Sequence, residues 1–521
     1  MKRINMKFSF IVLLALSITL SSCDKNFEEI NTDPIGESTT TANQLLAPAL
    51  VNVLAANMSR NRSFNNELMQ VTVNISDGEA QVFRYDFRRT WADFTWNVWY
   101  PELTNLKNIH TIASQPATLN KSYQAISLIT QTWLSSLLTD TYGDVPYSEA
   151  NAGKEGNLQP KFDQQKDIYA DMFKKLEEAN TLLKEGAAVI ATGDPVFQGD
   201  VAKWRRFGNS LYLRLLLRVS GKADVSSAAR AKIKEIADTN PSNYPIMIDN
   251  THTAKILWNG SNLSAALYTS PHMVNVRPVD FRTPAITDFF LGKLTNWQDP
   301  RVRTDIIKNA ARWGISQGPG GFVGVPSGYA PGAGLPKQAY FYSDAQNAAF
   351  TLQTDPFTGI LMNVAEVDFI LAEAAAKGWI NGTGEAYYNK GIVDAVNYWI
   401  PNYFASPAAA NFLAYINNAD IDWLDFLPLE SLAPGSNSKL EMIHLQKYYA
   451  MFFVDFQQWY EYRRTGHPIL PKGVGLANGG VMPARINYPI ISQSANPTSY
   501  KNAVATQGPD DINTRVWWQK P

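Results

Sequence analysis

A single cysteine, Cys23, in 521 residues excludes any intrachain disulfide, so the fold must stand on its core alone. The five histidines (His110, His252, His272, His444 and His467) are scattered, and no H-E-x-x-H, G-x-S-x-G or P-loop pattern occurs. That removes the common metal-hydrolase, nucleophile-elbow and nucleotide-cradle readings. A glycosidase would need only two carboxylates about 5 to 10 Å apart, which no sequence with 47 acidic residues excludes, but nothing else here points to catalysis. Neither sign of charge dominates: 46 Lys+Arg face 47 Asp+Glu, so no basic field points to nucleic acid. Aromatic residues are abundant at 12%, with 14 Trp. A helical core rarely needs so many, and some are expected to face a ligand.

Cysteine's position is informative. MKRINMK carries Lys2, Arg3 and Lys7 and no acid, and the uncharged stretch Phe8 to Leu20 follows. That is the n-region and h-region of a secretion signal, and it is too short for the roughly 20 residues that cross about 30 Å of hydrocarbon. Leu20-Ser21-Ser22-Cys23 resembles a bacterial lipobox, in which the thiol is diacylated and becomes the mature N-terminus. Two or more acyl chains hold a protein at a membrane where one is marginal. The expectation is a signal peptide over 1–22 and a mature chain of net charge near −4, made of a lipidated polar tether over 23–40 and a body over 41–521. A body of that length exceeds the ~250 to 300 residues at which one core stops growing, leaving two subdomains or one layered helical domain open.

Apolar residues three and four apart predict helices over 42–58, 91–113, 120–140, 162–183 and 201–220. Trp96, Trp99, Leu103 and Leu106 form one such stripe. Later, NVAEVDFILAEAAAKGW and GEAYYNKGIVDAVNYWI read as an antiparallel helical pair around INGTG, with Ala372, Ala374, Ala375 and Gly378 permitting close approach. Between the helical halves, about 241–361, lies a segment rich in Gly, Pro, Asn and aromatics. Its centre, GPGGFVGVPSGYAPGAGLP (318–336), is a loop by composition. Flanked by Trp313, Tyr329, Tyr340, Phe341 and Tyr342, it offers more stacking surface than a linker requires.

Four segments follow in a fixed order: TDTYGDVPYSEA (139–150), KWRRFGNSLYLRLLLRVS (203–220), NVAEVDFILAEAAAKGW (363–379) and QKYYAMFFVDFQQWYEYRRTGHPIL (446–470), the last leading through RINYPIISQSANPTSYKNAV to WWQKP. With the lipobox and the NTDP of Asn31 to Pro34, the chain resembles the SusD/RagB family of Bacteroidetes outer-membrane nutrient-binding lipoproteins over nearly its whole mature length. The resemblance implies a mainly α fold with a tetratricopeptide-like scaffold of four helical pairs (41–240 and 362–521) and a ligand face built from the insertion. It also implies a hinged lid over a SusC-like TonB-dependent barrel, with oligosaccharides or in some members peptides as ligand; from the residues, no cofactor, no catalytic metal and no catalysis are expected. Glu28 and Glu29 are similar to the acidic signals that send family lipoproteins to the cell surface. A helical-repeat interaction lipoprotein without a small ligand is the alternative.

Two regions pair aromatic rings with polar groups able to satisfy sugar hydroxyls. One is DGEAQVFRYDFRRTW (77–91), with Arg84, Tyr85, Asp86, Phe87 and Trp91; the other is the insertion, with Trp258, Asn259, Asn262, Tyr268, Trp313 and Tyr329. The resemblance implies that ligand-stacking aromatics come from these same two regions. Arg463 and Arg464 could clamp an anion or, after a long aromatic helix, pair with acids such as Glu461 and Asp455. Asp140 and Asp144 suit a metal or an Asx-type turn.

Overall fold

The helices predicted from apolar spacing form, and their ends follow local chemistry. The computed structural model describes residues 40–75, 78, 80–259, 268–302, 313–342, 351–417 and 421–520. Cys23 and Asn262 lie outside them. Ala42–Pro521 is a unit of its own. Its first half contains α1 (Ala42–Arg60), α2 (Trp91–Ala113), α3 (Lys121–Tyr142), α4 (Gln165–Glu185), α5 (Val201–Val219) and α6 (Ser226–Lys234). Asn120 caps α3 by accepting from the Tyr123 N–H at 3.0 Å, and Asp200 caps α5 from Lys203 N–H at 3.0 Å. Consecutive helices pack against each other from α1 through α6, the arrangement of stacked helical hairpins. Almost all of α3 is buried, so it forms the spine of this half.

The second half contains α7 (Asp288–Asn296), α8 (Val364–Ala376), α9 (Gly384–Trp399), α10 (Lys439–Ala450), α11 (Gln457–Thr465) and α12 (Pro497–Gln507), with shorter helical turns between. α8 packs on α9 and α10 and reaches α5. At the α8–α9 crossing Gly391 faces Phe369, where a Cβ would come within 2.8 Å of the ring. The small-residue requirement is therefore met on both helices. The aromatic run near 446–470 is not one long helix: α10 stops at Ala450, Phe453 and Asp455 take left-handed φ of 71° and 41°, and α11 starts afresh. Burial explains the break. The turn aims the Asp455 carboxylate at Asn57 Nδ2 (2.5 Å) and Trp133 Nε1 (3.1 Å), which tie it to α1 and α3.

Strands are short and paired antiparallel in twos: β1 (Thr72–Val73) with β5 (Ala285–Ile286), β2 (Val145–Pro146) with β3 (Phe162–Asp163), β4 (Ala254–Ile256) with β8 (Gly359–Met362), and β6 (Ile315–Ser316) with β7 (Tyr340–Phe341). The glycine-rich centre forms no helix. It is anchored all the same, because Gly324 lies where any Cβ would collide with the Thr287–Asp288 backbone. No helix among the described residues is long and apolar enough to cross a membrane.

Candidate functional site

Asparagines on one face of the first helix set the site's position. Asn57, Asn61 and Asn65 recur every four residues and point inward, Asn61 Nδ2 donating to Asp455 O (2.7 Å) and Asn65 Nδ2 to Gln458 Oε1 (2.8 Å). Beyond Arg60 the helix widens into a π-turn, Asn61–Asn65, a local geometry common at functional sites. The opposite face of that turn carries Arg62 and Ser63, and Glu67 follows in the next helical residues. They line a cavity of about 350 Å³ with Gln81, Trp91 and Asp280.

Hydrogen bonds bring the two sequence-predicted regions together around this cavity. β1 pairs with β5, and Thr287 N–H donates to Val71 O at 3.0 Å. Arg84 Nε donates to Tyr329 O (2.9 Å), and Tyr329 Oη donates to Asn74 O (2.7 Å). Thr283 lines both the first cavity and a second of about 480 Å³ that holds Arg282, Gln317, Lys337, Gln338 and Tyr340. The two are adjoining parts of a groove. Alternation along β7 decides which ring faces it: Phe341 is buried against Phe452 at 5.8 Å, while Tyr340 is half-exposed with Lys337 Nζ 3.9 Å above its ring. Trp91 is also half-exposed, with one part of its surface covered by the Arg60 guanidinium at 4.5 Å and the rest lining the groove.

Several residues expected to contact ligand prove to be packing. Trp313 is fully buried among Phe290, Trp399 and Phe452 with ring centroids 5.7, 5.9 and 5.1 Å away. Trp258, Tyr85, Tyr329 and Arg84 are also buried. Arg84 sits between the rings of Phe83 and Tyr329, each 4.9 Å away, so both pin the loop rather than offer a platform. The reason is shared: a loop this long and aromatic must bury most of its rings to hold still. Asp86 is exposed on the loop before Trp91. Asn259 and Tyr268 lie elsewhere, joined by Asn259 N–H to Tyr268 O at 2.9 Å, and Tyr268 lines a separate cavity of about 490 Å³ with Asp194, Lys203 and Lys255. Sequence reading missed Arg62, Glu67, Arg282 and Lys337, for which no motif exists.

Burial pushes the Glu67 carboxyl up to about 8, against the opposing effect of the Phe83 N–H it accepts and of Arg62. It is therefore a hydrogen-bond donor in the groove near neutral pH. The raised value means that Glu67 adds stability below its unfolded pKa and loses it as pH rises through about 8. Glu67→Gln is expected to flatten the pH dependence of thermal stability between pH 5 and 9 and to raise the melting temperature at pH 9; an unchanged profile would refute the assignment.

The one grouping of metal-ligating side chains found among the described residues is Glu373, His444 and Glu461. It is buried and already neutralised. Arg464 grips Glu373 (2.9 and 2.6 Å), Lys377 reaches Glu373 (2.6 Å) and Lys447 reaches Glu461 (3.0 Å), so the donors suit an ion-pair network and not a metal. Asp140 accepts from Tyr169 Oη (2.7 Å) and Trp518 Nε1 (2.8 Å), and Asp144 from Gln165 N–H (2.9 Å), which occupies both as hydrogen-bond acceptors.

A family model described as starch-binding associating with outer membrane matches residues 34–489. No curated protein matches the chain. Among solved structures, a chitin-binding SusD homolog from Flavobacterium johnsoniae is 22% identical with a TM-score of 0.72, covering 92% of this chain and 98% of that one. A SusD homolog from Bacteroides fragilis is 24% identical with a TM-score of 0.68, covering 92% and 100%. Another from Bacteroides uniformis is 22% identical with a TM-score of 0.68, covering 92% and 99%.

Proposed function

We propose, because the chain belongs to the SusD-like family of outer-membrane-associated starch-binding proteins, that it captures nutrient oligosaccharides without catalysis and passes them as a lid to a SusC-like TonB-dependent barrel. Fatty acylation at Cys23 would hold it on the cell surface. One observation carries the binding reading: the two aromatic chain regions meet at a groove that exposes Trp91 and Tyr340 beside Arg62, Gln81, Thr283, Gln317 and Gln338. Sugar C–H faces pack on such rings, while amides, hydroxyls and guanidinium groups pair hydroxyls that would otherwise be desolvated without a partner. The cavities, about 480 and 350 Å³, are of ligand size.

Calorimetry with chitin and starch oligosaccharides, alongside a peptide panel, tests this reading. Trp91→Ala or Tyr340→Ala is expected to weaken glycan binding roughly tenfold, about 1.4 kcal/mol. Full affinity in both variants would remove the groove as the site, and binding of peptides alone would change the ligand class. Mass spectrometry of the native protein checks the acyl chains, and co-purification with a barrel checks the lid.

A further inference from the structure

The two arginines of YEYRRTGHP differ in their surroundings. Arg464 is held between Glu373 and Glu461, but Arg463 meets no carboxylate. Its Nη atoms donate to the backbone carbonyls of Ala484 and Asp140, its Nε is buried without a partner, and its guanidinium lies 4.0 Å from the ring of Trp459 and 4.9 Å from that of Trp518. Burial pushes this guanidinium below the ordinary arginine value, against the opposing pull of the Asp140 charge.

Arg463 lines a cavity of about 410 Å³ together with Lys472 and Arg515, and no Asp or Glu lines it. Among the described residues neither Lys472 nor Arg515 has a hydrogen bond or ion pair, and both are exposed. The Asp511 carboxylate accepts from Asn513 N–H (2.8 Å) and the Asp140 carboxylate from Tyr169 and Trp518. Three cations around one cavity repel each other, and in most proteins a carboxylate would relieve them. No carboxylate among the lining residues does so here.

We infer that this cavity is an oxyanion site, taking a carboxylate or sulfate on a ligand of about monosaccharide size. It shares no lining residue with the Trp91–Tyr340 groove, so it is a second site and does not rest on the saccharide reading. Arg515 supplies a planar fork that matches an oxyanion, Lys472 a mobile point charge, and Arg463 a fixed positive wall behind them. An acidic unit of a glycan and a free inorganic anion share this chemistry.

Thermal shift and calorimetry on the full mature protein, with inorganic sulfate, glucuronate, glucose 6-sulfate and neutral glucose at fixed ionic strength, test the inference. Sulfate, or one of the two acidic sugars, is expected to raise the melting temperature and bind, while glucose does neither. Lys472→Ala and Arg515→Ala lie on exposed side chains and should fold normally; each is expected to weaken anion binding roughly tenfold. Sugar anions binding more tightly than sulfate would identify a glycan substituent as the ligand, and the reverse order a free anion; both support the site. Stabilisation matched by sodium chloride, or anion affinity unchanged in the Lys472→Ala/Arg515→Ala double variant, would overturn it. Neutral-glycan binding in the groove is measured in the same variants and should not change, which separates failure here from failure of the groove.

Discussion

Arg464→Met is expected to destabilise the protein by about 3 to 5 kcal/mol, the usual cost of stripping one partner from a buried ion pair. The guanidinium donates to both oxygens of Glu373 and also to Glu461 Oε1, and all three side chains are nine-tenths buried or more. Burial alone would raise both carboxyls. Arg464 first, then Lys377 at Glu373 and Lys447 at Glu461, hold them below the usual carboxylate range. The sign follows. Depressed carboxylates stabilise the wild type above their unfolded pKa, and this contribution disappears as pH falls through the folded values. Without Arg464 the deficit is greatest near neutral pH and shrinks as both acids take up protons. Urea denaturation across pH 4 to 8 measures this, with Glu373→Gln/Arg464→Met expected to recover part of the loss. A loss under 1 kcal/mol at pH 7 would mean that Lys377 and Lys447 carry the network without Arg464.

Trp313→Ala is expected to cost a similar amount, about 3 to 5 kcal/mol, by a different route. The ring is fully buried, touches Phe290, Trp399 and Phe452, and lies 5.1 Å from the Arg301 guanidinium. Truncation leaves a void that interlocked rings cannot close. Trp313→Phe should cost less, because it keeps most of the volume and removes an indole N–H that is buried without a partner. Glycan affinity, measured on the folded fraction, is expected to stay within about twofold of wild type, since Trp313 lines neither groove cavity. Binding lost while the fold remained intact would return Trp313 to the ligand face.

These two outcomes mark where sequence reasoning succeeds and where it stops. Helical periodicity, caps such as Asn120 and Asp200, and the Gly-Pro density of 318–336 are local properties of the chain, and the helices read from apolar spacing formed because their hydrogen bonds close within a few residues. The order of motifs identified the family for the same reason: those segments are scaffold, and scaffold is written in contiguous residues. The aromatic count pointed to two regions that meet at the groove. It could not tell Trp91 and Tyr340 from Trp313 and Trp258, because which ring keeps a free surface depends on tertiary partners, such as Trp399 and Phe452 against Trp313, that no local window contains. Likewise Arg463 and Arg464 are neighbours in sequence with opposite surroundings: a helix turns about 100° per residue, which points one at Glu373 and the other toward a cavity that no acid lines. Local geometry is fixed by the sequence in short windows, whereas the burial and charge environment that make a side chain functional are set only when distant windows pack.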